Sequence, residues 1–151
     1  MTAAELIAKY GPPNRAYLDA ECVIWHIQES FPWFPAKVIY INKVFRDMLF
    51  MSFTAVEKAG LQHEVITCDG CYVDRLVRGS NSVSAHAYAG ALDLNAAKGR
   101  MFIADGLPMD DPKRLGPWSP AFVQAMTSSG VFFGGYFKHR SDPMHWSMAD
   151  M

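Results

Sequence analysis

Apolar residues recur along the chain in short runs, some at helical spacing and some in strand-like clusters, with Gly and Pro between them. Residues 2–9 predict a short helix ended by Gly11, Pro12 and Pro13. Cys22–Gln28 is rich in strand formers, Phe31–Pro35 reads as a Pro-bounded aromatic loop, and Lys37–Ile41 reads as a strand. Val44, Leu49, Phe53 and Val56 fall at helical spacing, which predicts a helix over Val44–Ala59 that packs on a sheet and stops at Gly60. Short β segments are expected at Val65–Thr67, Cys71–Val73, Ala91–Leu94 and Val131–Phe137, with a capped helix over Ser119–Ser128 ended by Gly130. The mixture predicts an α+β domain with a small, mainly antiparallel sheet and packed helices.

Composition narrows the class. The chain has 151 residues, 50 % of them hydrophobic and 19 % charged, so an ordinary apolar core can form without disulfides. No repeat, low-complexity tract or linker divides it, which predicts one domain over residues 1–151 and no separate cell-wall-binding module. Fourteen Lys plus Arg against fifteen Asp plus Glu lack the electrostatic footprint of a nucleic-acid binder, so no nucleic acid is expected as partner. Cys22, Cys68 and Cys71 are too few for a disulfide scaffold and fit a reducing compartment of synthesis. The start has no basic region followed by an apolar one, so no secretory signal is expected. The apolar stretches around Cys22–Ile27 and Val44–Phe53 are short or broken by Arg46 and Asp47, far from the ~20 residues of a membrane span, so no membrane insertion is expected.

The chemistry concentrates in Ser84–Asn95 and Asp142–Trp146. Two imidazoles and a carboxylate are the usual ligand types of a catalytic zinc, and His86, Asp93 and His145 supply that set. His86 and Asp93 are seven residues apart, an odd number, so they cannot share one face of an unbroken strand. Ala89-Gly90 can provide the bend between them, after which Asp93 and Asn95 alternate onto one face and Asn95 is placed to support Asp93. Pro143 biases Asp142 away from helix, so Asp142 and His145 are expected on a turn leading into a short extended segment, with Asp142 placed as a base. Spacing alone leaves His86 open as a satisfied core histidine and Asp93 as a strand-end cap. Cys68-x-x-Cys71, with no second pair and no thioredoxin-like pattern around it, reads as packing.

The order Ser84-x-His86-x6-Asp93, followed downstream by Asp142-x-x-His145, resembles the zinc D-alanyl-D-alanine carboxypeptidases and the related L-alanyl-D-glutamate endopeptidases of the VanX/VanY and phage endolysin kind. Asp69–Ser80 is similar to the stretch of phage-type members that carries a substrate-binding arginine, and the likeness continues through Gly134–Lys138, spanning about Lys37 to Trp146. Two positions depart from the pattern. The family commonly has Gly where Ala89 stands, with Gly90 here following to serve the bend, and members often have Glu two residues after the last ligand, where this chain has Ser147.

The resemblance implies a Hedgehog/D-Ala-D-Ala-peptidase-like fold and one zinc ion per chain on His86, Asp93 and His145. It implies Asp142 as proton acceptor and donor, Arg75 as the guanidinium facing the developing oxyanion with Arg78 as its alternate, and Ser84 as a substrate contact. Trp146, beside His145, is expected at the site as a substrate-binding residue. The implied substrate is a peptidoglycan stem peptide, whose carboxylates suit Arg75, Arg78, Lys138 and Arg140. A bare catalytic domain without a signal fits a phage or prophage enzyme made in the host cytoplasm and brought to the wall by release or virion delivery, with phage tail proteins as partners in the second case. A zinc-binding recognition module of a phage particle without catalysis is the competing class.

Overall fold

The computed structural model describes residues 1–72 and 83–151. The first helix, α1 (Ala3–Tyr10), opens on a reciprocal cap: the Thr2 hydroxyl accepts from Glu5 N at 3.1 Å and the Glu5 carboxylate accepts from Thr2 N at 2.6 Å. Gly11, at φ +79°, ends it. A second helix, α2 (Arg15–Glu21), follows on an Asn14 cap. It buries only Leu18, and so short a segment leaves no apolar periodicity to detect.

The strand expected over Cys22–Gln28 stops early, because Ile27–Glu29 turns into a single 3-10 coil. What remains, β1 (Cys22–Trp25), pairs antiparallel with β2 (Ile39–Asn42). Asn42 then caps α3 (Lys43–Lys58), its side chain accepting from Val44 N at 2.9 Å. The buried stripe of α3 is Phe45, Leu49, Ser52, Phe53 and Val56, whereas Val44 is exposed. Phe45 is the residue four before Leu49 and takes the inward position that the sequence assigned to Val44.

The remaining strands are β3 (Cys68–Gly70), β4 (Ala91–Leu94), β5 (Phe102–Ile103), β6 (Phe132–Phe133), β7 (Arg140–Ser141) and β8 (His145–Ser147). Four of them form an antiparallel sheet in the order β3-β4-β8-β6, and β5 pairs with β7 in a separate ribbon. β3 lies between the two segments expected as strands, Val65–Thr67 and Cys71–Val73; Val73 falls outside the described residues. The run Val131–Phe137 yields only β6, since Gly134–Tyr136 closes into a 3-10 turn.

The α4 helix (Pro120–Thr127), capped by Ser119, packs on α3, and the Ser52 hydroxyl reaches Met126 O between them. One apolar cluster joins Phe45, Leu49 and Phe53 of α3 to Phe122 of α4 and to Leu92 and Trp146 of the sheet. Each large side chain so buried contributes about 1.5–3 kcal/mol. The fold is α+β with small antiparallel sheets, as the pattern predicts. Among the described residues no helix is long and apolar enough to cross a membrane.

Candidate metal centre

Antiparallel register sets Asp93 of β4 directly opposite His145 of β8. His86 approaches from a 3-10 turn, Ala85–Tyr88, that precedes β4. The reversal between turn and strand falls on Ala89, at φ +51° and ψ +30°, and not on Gly90. A left-handed conformation costs a residue with a Cβ about 1–2 kcal/mol, so this position favours glycine over the alanine that stands here.

His86 Nε2 lies 3.3 Å from Asp93 Oδ2, and His145 Nδ1 lies 3.5 Å from Asp93 Oδ1. One ligand atom from each of the three residues falls within 4.8 Å of the others. Each imidazole has its far nitrogen on a main-chain oxygen: His86 Nδ1 is 2.7 Å from Cys71 O, and His145 Nε2 is 2.9 Å from Met151 O. A main-chain oxygen can only accept, so these contacts put the ring N–H there and leave His86 Nε2 and His145 Nδ1 with lone pairs turned inward. Asp93 Oδ1 is buried without a hydrogen-bond partner. Three acceptors facing one another repel unless a cation or added protons fill the space between them, so the donor set and the orphaned oxygen fit a divalent ion.

The proton balance of the metal-free site is consistent with that. Burial alone would raise the Asp93 pKa, but the two imidazoles beside it, His145 and His86, outweigh burial and hold the carboxyl well below the ordinary range. Burial would likewise lower His145, yet Asp93 foremost, with Asp142 and the Met151 oxygen, leaves it above the usual histidine value.

Asp142 sits on the turn that delivers His145, as expected from Pro143: His145 N donates to Asp142 O at 3.0 Å. Its carboxyl is within electrostatic reach of His145, Asp93 and His86, and burial pushes its pKa up. Asp142 Oδ1 is buried and unpartnered, so nothing in the described fold uses that oxygen. The turn itself depends on Gly134. A Cβ there would collide with Asp142 O and come within 2.8 Å of His145 Cβ, while Asp142 N donates to Gly134 O at 2.8 Å.

Other expected site residues fare differently. The Ser84 hydroxyl accepts from His86 N at 3.2 Å and caps the turn that carries this imidazole. Trp146 is 0 % exposed and stacks on Phe133, with Trp118 and Phe122 at its edges. Alternation along β8 sends it to the core face when His145 takes the site face, so the expected substrate contact gives way to packing. Arg75 and Arg78 lie outside the described residues. Asn95 does not support Asp93: its side chain accepts from Ile66 N at 2.8 Å and Thr67 N at 3.0 Å and donates to Glu64 O at 2.7 Å, tying that segment to the end of β4. Lys138 and Arg140 are exposed, and His139 pairs with Asp105 at 2.7 Å.

Three participants escape sequence reasoning. The oxygens of Cys71 and Met151 are main-chain atoms, which residue identity cannot signal. Phe137 places its ring 5.6 Å from that of His145 and forms a half-buried aromatic wall, for which the only hint was its place after Gly134-Gly135. The thiols of Cys68 and Cys71 are free; burial pushes Cys68 up to about 11 and Cys71 well above the ordinary thiol range, so neither offers a thiolate at neutral pH.

Residues 78–148 match a family model described as D-alanyl-D-alanine carboxypeptidase, and that stretch contains His86, Asp93, Asp142 and His145. The match supports a relation to these peptidases at the level of the family. Searches of curated proteins and of solved structures found no match.

Proposed function

We propose that the chain is a zinc-dependent hydrolase of peptidoglycan stem peptides, acting as one catalytic unit over the fold described above. The observation that carries this reading is the convergence of His86, Asp93 and His145 through metal-ready atoms, with the unpartnered carboxyl of Asp142 beside them and the peptidase match over the same stretch. Bound by the three side chains, a zinc ion would supply Lewis acidity, making water more acidic and polarising a peptide carbonyl.

The chain's own residues then do the rest. Asp142 takes a proton from the attacking water as the new C–O bond forms, and hands it to the amine as the C–N bond breaks. Its raised pKa suits both halves of that exchange. Phe137 lies beside the centre, its ring 5.6 Å from that of His145. Arg75, with Arg78 as alternate, is assigned by motif position to the developing oxyanion or a stem-peptide carboxylate, and Ser84 to a substrate contact in addition to its cap. Synthesis in a host cytoplasm, delivery to the wall by phage release or a virion, and tail proteins as partners belong to the same proposal and rest on the motif resemblance alone.

Mass spectrometry of muropeptides digested by the purified protein tests the reading. Loss of a terminal D-Ala identifies a carboxypeptidase, and a cut between L-Ala and D-Glu an endopeptidase. Asp142→Ala should abolish either product while still taking up zinc. A wild-type protein that binds zinc yet leaves several wall chemotypes uncut would favour the recognition module instead.

A further inference from the structure

We propose that the main-chain oxygen of Met151, brought back to the centre by a folded tail, is the positioning group that makes His145 ligate through Nδ1. The inference rests on the reading of His86, Asp93 and His145 as a metal site. An imidazole can bind a metal through either nitrogen, and the hydrogen bond made by the other nitrogen decides which one. For His145 that bond is Nε2–H to Met151 O, at 2.9 Å. Ser147 stands where related peptidases often have a glutamate, and its hydroxyl is spent elsewhere, donating to Gly90 O at 3.3 Å and accepting from Ala149 N at 3.1 Å.

Those two contacts turn the chain back. Met148 N also donates to Gly90 O, at 2.8 Å, and Met151 N closes a tight turn on Ala149 O at 2.7 Å. The ammonium of Met1 holds Asp150 O at 2.9 Å, and the Met151 side chain packs against the apolar core. Gly90 lies in the loop that joins His86 to Asp93, and a Cβ on it would meet Met148 Sδ at 2.9 Å. The tail is therefore anchored to the segment that carries the other two ligands, and the position of Met151 O is coupled to theirs.

Two measurements on the zinc-loaded protein test this. Nitrogen NMR of the full chain should show His145 with zinc on Nδ1 and a slowly exchanging Nε2 proton; zinc on Nε2 would overturn the proposal without recourse to any variant. Chelator competition should give a chain ending at Asp150 about 10–100-fold weaker zinc binding, the usual cost of losing an outer partner, whereas Met151→Ala, which keeps the oxygen, stays within about threefold of wild type. Unchanged affinity in the shortened chain, or equal losses in both variants, would assign the tail a packing role only. Failure of the full chain to take up zinc at all would instead remove the metal reading on which this one stands.

Discussion

His145 and Asp93 carry opposite pKa displacements, which set how this pair's contribution to stability responds to pH. Asp93 is lowered, so its contribution to stability is complete above its ordinary value of 3.8 and is lost as pH falls through its lower folded value. His145 is raised, so its contribution is complete below its ordinary 6.5 and is lost as pH rises through its higher folded value. The metal-free protein should therefore draw most from this pair between those two values. Zinc must displace the His145 proton, so the zinc-induced gain in Tm should grow from about pH 5.5 to pH 8. Thermal melts with and without zinc across that range check it, and a gain that shrinks as pH rises would contradict the assignment of His145 as a ligand. Ala89 offers a second check. Ala89→Gly relieves the left-handed strain but loses a buried methyl and gains unfolded-state entropy, so stability should change by less than about 1 kcal/mol, with zinc affinity preserved.

At the scale of elements, the site hangs on one turn and one staple. Gly134→Ala should displace the Asp142–His145 turn, weakening zinc binding at least tenfold while costing about 1–3 kcal/mol of stability from overpacking. Asn95→Ala removes three hydrogen bonds between the end of β4 and residues 64–67, so about 2–4 kcal/mol should be lost, read as a fall in Tm. Its zinc affinity should stay near wild type, since Asn95 touches no ligand; a tenfold loss would restore the supporting role that strand alternation first suggested. These residues also mark how far the sequence could be read. β4 lies where alternation in Ala91–Leu94 put it, and the Pro143 rule placed Asp142 on the turn before His145. Helix α2 and the two-residue strands β5 and β7 were not legible, because segments so short are held by partners distant in the chain and carry no period of their own.

The whole molecule reads as a core that positions the proposed metal centre at the junction of β4, β8 and the turn before β4. Composition and periodicity gave the class and the long helix α3, while the ligand set depended on motif order, since nothing local brings residues 86, 93 and 145 together. Trp146 marks the boundary between the two kinds of inference: adjacency in sequence to His145 suggested the site, and the pleat of β8 put it in the core. Because His86, Asp93 and His145 converge only when those segments are assembled, zinc binding at the proposed centre, at about 100 times its Kd, should stabilise the fold by about 2.7 kcal/mol. For a chain of this length that is a Tm increase of roughly 5–10 °C. His86→Ala and His145→Ala should lose this increase, and Asp142→Ala should keep it.

Zinc K-edge X-ray absorption on the metal-loaded protein addresses the centre itself. One zinc per chain, surrounded by nitrogen and oxygen scatterers at about 2.0–2.2 Å with the outer-shell signature of two imidazoles, is the result expected for His86, Asp93 and His145. A sulfur scatterer near about 2.3 Å would move the metal to Cys68 and Cys71 and contradict the account.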